Sequence, residues 1–283
     1  MYFFVSPAIY KLIDLALEED IINSDITSVY TVDEDKEIEA QIVAKEDMIF
    51  CGGVIVGAVL KKIDESVEYD IKVKEGDFIK KGTVCVSFKG KAISILSAER
   101  TILNFMQRMS GIATKTNEFV RALNNDKIKI VDTRKTLPGF RYIDKYAVKT
   151  GGGYNHRMGL SDAVLIKENH IRSAGSIKEA ILKAKNNVPH TMKIECEVTD
   201  LNEVKEAVKS GADIIMLDNM SIEMMQEAIK TIRDANREII IEVSGNVTLE
   251  RLPELAKLDI DVISSGALTH SVKAADLSMK FKK

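Results

Sequence analysis

The sequence predicts an α/β fold in two parts: mixed helix and strand over about residues 1–110, then repeated strand–helix units to about residue 270. Three observations carry this. Short β-branched runs broken by charged, glycine-containing turns fill the first part. From about Lys127, apolar runs of strand length alternate with amphipathic stretches of helix length. Polar residues gather directly after nearly every one of these later strands. With 283 residues, 45% of them hydrophobic, the chain can bury one large core or two modest ones.

In the first part a helix is expected from Pro7 to about Glu19, with Ser6 as its cap and Pro7 at its first position. Segments Glu37–Lys45, Ile49–Gly53, Tyr69–Val73 and Thr83–Lys89 read as strands, punctuated by turns at Glu75-Gly76-Asp77 and Lys80-Lys81-Gly82. A long helix is expected from Ser97, because Ile102, Met106, Met109 and Ala113 recur at spacings of three and four. In the second part strands are expected at Ile128–Asp132, Ala163–Ile166, Lys193–Val198, Asp213–Leu217, Ile239–Val243 and Asp261–Ile263. Helices are expected at Ile177–Asn186, Leu201–Ser210, Ile222–Ala235 and Leu249–Leu258. Such alternation builds right-handed βαβ units and a parallel sheet covered on both faces. Six units are fewer than a full eight-fold barrel, so the residues alone allow an incomplete barrel or an open doubly wound sheet.

Composition narrows the function. A net charge of -3 gives no general field for nucleic acid or acidic membranes, so neither is expected as a partner. Cys51, Cys85 and Cys196 lie in apolar segments without ligand spacing and read as buried small hydrophobes in a reducing compartment. The first twenty residues lack a basic leading region and charge interrupts their apolar run, so no signal peptide or membrane span is expected and the chain reads as cytoplasmic.

Groups at the C-terminal ends of parallel strands converge on one face, where α/β folds hold ligands. Here those ends carry Asp132-Thr133-Arg134-Lys135-Thr136, Lys167-Glu168-Asn169-His170, Glu195 and Glu197, Asp218-Asn219, Ser244-Gly245-Asn246 and Ser264-Ser265-Gly266. Arg134, Lys135, Arg157 and Lys167, with His156 beside them, imply a ligand of several negative charges. Glu197 and Asp218 suit a divalent cation of the Mg²⁺ type or sugar hydroxyls. The turns Ser244-Gly245-Asn246 and Ser265-Gly266-Ala267 open helices and can cradle phosphate with backbone N–H groups. Lys149-Thr150-Gly151-Gly152-Gly153 lacks the order of a phosphate loop and reads as a flexible loop delivering His156 and Arg157. Glu195 and Glu197 alternate along one strand, so both can face the interior. Asp132 is expected to orient Arg134. His170, His190 and His270 read as structural. Together the groups suggest a phosphorylated sugar with Mg²⁺ and a small acid bearing carboxylates.

Several runs carry a resemblance. These are Ala98-Glu99-Arg100-Thr101, Asp132 to Gly139 (DTRKTLPG), His156-Arg157, Leu165 to His170, and Glu195-Cys196-Glu197-Val198. Leu217-Asp218-Asn219, Glu242-Val243-Ser244-Gly245 and Ser265 to Ser271 (SGALTHS) follow. In these the chain resembles the quinolinate phosphoribosyltransferase family over essentially its whole length. The resemblance implies an N-terminal α/β sandwich over 1–110, joined by a C-terminal helix at 271–283, and an incomplete α/β barrel over 111–270. It implies transfer of phosphoribosyl from phosphoribosyl pyrophosphate to quinolinate with decarboxylation, giving nicotinate mononucleotide, pyrophosphate and CO₂, with Mg²⁺. It also implies a homodimer or higher even oligomer whose sites are shared, Arg100 being lent by the neighbour. Carried over residue by residue, Arg100, Thr133, Arg134, His156, Arg157 and Lys167 match anion and quinolinate positions. Lys135 matches the lysine toward the sugar phosphate, and Glu197 and Asp218 the carboxylates near ribose hydroxyls and metal. Ser244, Gly245, Asn246, Ser265, Gly266 and Ala267 match the phosphate loops. Lys135, Glu197 and Asp218 are the expected catalytic residues. Asn246 stands where some relatives have glycine. The preference for Glu197 over Glu195 rests on this resemblance. The alternatives are a related phosphoribosyltransferase for another acid, a Schiff-base aldolase using Lys167, and a non-catalytic sensor of phosphorylated sugars.

Overall fold

The structure, a computed structural model, describes residues 7–282, and the cap expected at Ser6 lies outside them. In chain order the elements are α1 (Pro7–Asp20), α2 (Ile26–Thr31), β1 (Glu37–Ala44), β2 (Met48–Ile49), α3 (Gly53–Ile63), β3 (Glu68–Ile71), β4 (Phe78–Ile79), β5 (Val84–Lys91), α4 (Ala92–Leu123), β6 (Lys129–Val131), α5 (Arg141–Thr150), β7 (Val164–Ile166), α6 (Glu168–Ala174), α7 (Ile177–Asn187), β8 (Ile194–Val198), α8 (Leu201–Ser210), β9 (Ile214–Asp218), α9 (Ile222–Ala235), β10 (Ile240–Ser244), α10 (Leu252–Leu255), β11 (Val262–Ser264), α11 (Ala267–His270) and β12 (Leu277–Phe281). They form two compact units. One comprises the chain up to Asn117, Thr136–Gly152 and the residues from Leu268 on; the other comprises Glu118–Lys135 and Gly153–Ala267.

The first unit is built on a four-stranded antiparallel sheet in the order β12-β1-β5-β3. Alternation along β1 buries Ala40, Ile42 and Ala44 on one face. The expected C-terminal helix is corrected here. Residues 277–281 are β12, and Leu277 pairs with Ala44 and Phe281 with Ala40. Leu277, Met279 and Phe281 repeat every second residue, which suits a strand completing a sheet edge and gives a helix no apolar stripe. The strand expected at Ile49–Gly53 is only Met48–Ile49, and an unexpected helix, α3, follows it. The N-terminus of α3 is closed by the Glu75 carboxylate, which accepts from the backbone N–H groups of Gly52 (3.1 Å) and Val54 (3.3 Å). A cap supplied from so far along the chain leaves no mark beside the helix.

Helix α4 starts at Ala92, five residues before the expected Ser97, because Ala92, Ile95 and Ala98 extend the buried stripe of Ile102, Met106 and Met109. Arg108 on α4 donates through Nε and Nη2 to both oxygens of Asp144 on α5 at 2.8 and 2.7 Å. Burial raises the pKa of Asp144, with Arg108 opposing the shift. This buried fork ties the segment 136–152 into the first unit. The glycine run at the end of α5 is not the flexible loop expected. Gly151 is buried, and a Cβ there would lie 2.3 Å from the Ala113 carbonyl oxygen.

The second unit holds six parallel strands in the order β6-β11-β10-β9-β8-β7. A flat sheet of six would separate β6 from β7 by about 24 Å. Thr133, just after β6, and Lys167, just after β7, nevertheless line one cavity. The sheet is therefore curled into an incomplete barrel, open between its first and second strands in sequence. At that seam Tyr154 forms a single parallel bridge to Val131. Helices α7, α8 and α9 begin at side-chain caps from Ser176, Asp200 and Ser221. The helix expected at Leu249–Leu258 shrinks to four residues. Pro253 is tolerated only in a first turn, and the residues after it close in short turns, Lys257 N–H to Glu254 O and Leu258 N–H to Leu255 O.

Gly151→Ala is expected to destabilise the protein by about 1–3 kcal/mol through overpacking against α4, measured as a fall in the urea midpoint at unchanged slope.

Candidate active site

The strand ends of the second unit surround a cavity of about 580 Å³. Its wall collects Thr133, Arg134 and Lys135 after β6, His156 and Arg157 from the segment before β7, and Lys167 after β7. Glu197, Asp218 and Ser244 come from the ends of β8, β9 and β10, with Gly245 and Asn246 following. These are eleven of the fifteen site residues expected from sequence. Of the other four, Arg100 stands exposed on α4 in the first unit. Ser265, Gly266 and Ala267 do not line the cavity, whose wall takes Ser264 instead. Ser265 is buried; its N–H donates to Val131 O at 3.1 Å and its Oγ accepts from Ala267 N–H at 3.3 Å.

Position along β8 separates its two acids. Glu197, nearer the mouth, lines the cavity and pairs with the Lys167 ammonium. Glu195, two residues deeper on the same side, is only 3% exposed. There it meets Glu242 of β10 around the ring of His156, whose Nε2 lies 3.2 Å from Glu195 and 3.5 Å from Glu242. Burial opposes charge on this ring, but hydrogen bonds and attraction from both glutamates push its pKa up to about 10. Burial also raises the pKa of Glu195, and Glu242 adds repulsion. Only the neutral ring can accept at Nδ1 the backbone N–H of Arg157, whose nitrogen lies 2.8 Å away. With its pKa raised, the ring carries its charge at neutral pH and stands as a cation between two buried carboxylates. Its atoms are close enough to hold a cation. A metal-bound imidazole, however, donates its other N–H to an acceptor, and here that nitrogen faces a donor. His156 thus serves the site as the cation that holds Glu195 and Glu242 together.

Asp132, fully buried, accepts from His156 N–H at 2.9 Å and from Asn155 Nδ2 at 2.6 Å, so it anchors the segment carrying His156 and Arg157. Arg157 donates through Nη1 to Ala163 O at 3.0 Å. Burial, and then the neighbouring charge of Arg134, lower its pKa. Two guanidinium groups close enough to repel are relieved by an anion between them. Lys167, carboxylate-paired and 44% exposed, lacks the apolar burial of a Schiff-base nucleophile, which counts against the aldolase alternative. Glu197 and Asp218 present carboxylate oxygens to the same space. That hard donor set could hold a divalent cation of the Mg²⁺ type. The three cysteines are buried and free, with pKa values raised by burial, to about 11 at Cys85 and about 12 at Cys196.

The family model for the C-terminal domain of quinolinate phosphoribosyl transferase matches residues 112–280, and that for its N-terminal domain matches residues 25–110. The chain belongs to the quinolinate phosphoribosyltransferase family. A Bacillus subtilis (strain 168) relative named "Probable nicotinate-nucleotide pyrophosphorylase (carboxylating)" is 45% identical over 269 residues, covering 95% of this chain and 92% of its own. The crystal structure of NadC from Streptococcus pyogenes matches with a TM-score of 0.94 and 38% identity, covering 100% of both chains. The nicotinate-nucleotide pyrophosphorylase from Francisella tularensis matches with a TM-score of 0.91 and 42% identity over 98% of each chain.

Within this phosphoribosyltransferase fold, sequence reasoning gave no role to Glu242, Asn219 or Ser264, all of which line the cavity. Glu242 had a signal: it is a lone acid inside the apolar run Ile239 to Val243. Ser264 stood one place before the turn that was singled out.

The raised pKa of His156 has a readable pH signature. The raised folded-state value stabilises the protein fully below about pH 6.5, the ordinary imidazole range. That stability is lost as pH rises through about 10. Nitrogen-15 NMR of the four histidines should show one ring that stays unchanged well above pH 7, and Glu242→Gln should bring its titration down. Four rings all titrating near 6.5 would contradict the cluster.

Proposed function

We propose that this chain transfers the phosphoribosyl group of phosphoribosyl pyrophosphate to quinolinate and releases CO₂, giving nicotinate mononucleotide and pyrophosphate in NAD biosynthesis. One observation carries the proposal: a single cavity sets Arg134, Arg157 and Lys167 against Asp218, Glu197 and the Ser244–Asn246 turn. A diacid fits the cations and an activated ribose phosphate fits the rest. The names of the relatives agree with it.

The chain's residues divide the work. Arg134, Arg157 and Lys167 bind the two quinolinate carboxylates and orient the ring nitrogen toward the sugar carbon, a positioning effect. Departure of pyrophosphate leaves positive charge on the sugar, which Glu197 and Asp218 stabilise. Lys135 stabilises the leaving pyrophosphate. Glu197 and Asp218 would hold Mg²⁺, directly or through substrate or water, and the bound ion would neutralise charge on the diphosphate. The ring nitrogen attacks without a general base. Loss of CO₂ then leaves the electron pair of the breaking bond on the ring carbon beside the positive nitrogen, and a proton from water takes the place of the lost carboxylate.

The second part of the proposal is a homodimer, or a higher even oligomer, in which Arg100 of one subunit completes the neighbour's site. The exposure of Arg100 on α4 and its place in the Ala98-Glu99-Arg100-Thr101 run support this. A cytoplasmic location is proposed on the three buried thiols. Among the described residues no helix is long and apolar enough to cross a membrane.

Release of labelled CO₂ and nicotinate mononucleotide from carboxyl-labelled quinolinate tests the activity. Arg157→Ala and Lys167→Ala should each lower kcat/KM about 100-fold or more. A folded wild-type chain that binds phosphoribosyl pyrophosphate yet releases no CO₂ would instead favour a sensor. For the shared site, Arg100→Ala and Arg157→Ala chains, each inactive alone, should regain part of the activity when mixed. No recovery in verified mixed dimers would contradict it.

A further inference from the structure

The turns after β9 and β10 share contacts that the roles above do not use. Asn219, Gly245 and Asn246 all have left-handed backbones, with φ of +53°, +84° and +48°. Asparagine and glycine are the residues that hold this conformation at least cost, so Asn246 can stand where glycine would otherwise serve. The Asn219 side chain lies between the two turns. Its Nδ2 donates to Asp218 Oδ2 at 2.8 Å, and its Oδ1 accepts from Asn246 Nδ2 at 3.2 Å. Its backbone N–H donates to Ser244 O at 3.1 Å. The carboxylate of Asp218 can only accept, which fixes the way this amide faces. A Cβ on Gly245 would lie 2.2 Å from Asn219 Oδ1, so the amide occupies the space that glycine leaves. Arg251, which does not line the cavity, grips both turns by their carbonyls. Its Nη2 donates to Met220 O at 2.8 Å and its Nη1 to Gly245 O at 3.4 Å.

We propose that Asn219 and Arg251 are positioning residues that join the Asp218 carboxylate and the Ser244–Asn246 turn into one unit, so that the hydroxyls and the phosphate of a ribose 5-phosphate group are bound together. The inference deepens the phosphoribosyl reading and rests on it. Asp218 alone can hold sugar hydroxyls, and a left-handed turn alone can offer N–H groups to phosphate. The spacing between the two is set by the Asn219 amide on the cavity side and by the Arg251 guanidinium behind. Loosening either contact should weaken the ribose phosphate half of the substrate and leave the quinolinate half intact, since Arg134, Arg157 and Lys167 hang from other parts of the chain.

Calorimetry in Mg²⁺-free buffer, with ribose 5-phosphate and quinolinate as separate probes, tests this on the full chain. Asn219→Gly keeps the left-handed backbone and removes only the amide; Arg251→Met removes the outer grip. Each is expected to weaken ribose 5-phosphate binding about tenfold and to change quinolinate binding less than twofold. In steady state the KM for phosphoribosyl pyrophosphate should rise while that for quinolinate holds. Unchanged ribose 5-phosphate affinity in both variants, or equal loss for both ligands, overturns the proposal. So does failure of both variants to fold, which would make the network a requirement of the fold. A wild-type chain that does not bind ribose 5-phosphate overturns the phosphoribosyl reading as well.

Discussion

Curling of the parallel sheet is the constraint on which the candidate site depends. Strand order places β6 and β7 at opposite edges, with four strands between them. Only closure toward a barrel lets Thr133 and Lys167 line one space. Most groups assigned to substrate in the second unit hang from strand ends and inherit their place from that closure, while Arg157 comes from the segment before β7 that Asp132 anchors. The near-continuous apolar strands permit it: Ile215, Leu217, Ile241, Val243 and Ile263 are fully buried.

Closure also concentrates charge. Arg134 and Arg157 are brought close enough to repel, while Glu195 and Glu242 lie in the barrel interior beneath them. One oxygen of each buried glutamate has no hydrogen-bond partner among the described residues. Buried acids of this kind are tolerated when a cation between them lowers the cost of burying them. His156 provides the meeting point, and the chain runs directly from it into Arg157 of the cationic wall. The acidic floor and the cationic wall are thus connected through one ring.

Much of this was legible in the sequence. All six barrel strands, and the helices α7, α8 and α9, lie within a residue or two of where periodicity put them, because each carries its own apolar pattern and cap. The convergence of Arg134 and Lys167 followed from strand polarity, whereas Arg157 was expected to arrive on the loop before β7. What sequence missed depended on distant partners. Helix α3 is capped by Glu75 from another turn, and β12 is a strand because β1 offers it an edge. The glycine run 151–153 looks flexible until Ala113 is seen against it. Asn219 and Arg251 act through carbonyls and amides of neighbouring turns, and no spacing along the chain records that. Glu242 is different: an acid in the middle of an apolar strand was visible and should have been weighed.

The central claim is that one cavity accepts both the diacid and the ribose phosphate. A crystal structure of the full chain with quinolinate and ribose 5-phosphate bound together measures this most directly. The account predicts both ligands in contact within the barrel mouth, the carboxylates on Arg134, Arg157 and Lys167 and the phosphate at Ser244–Asn246. Ordered ligands on separate surfaces, or a phosphate held away from that turn, would contradict it.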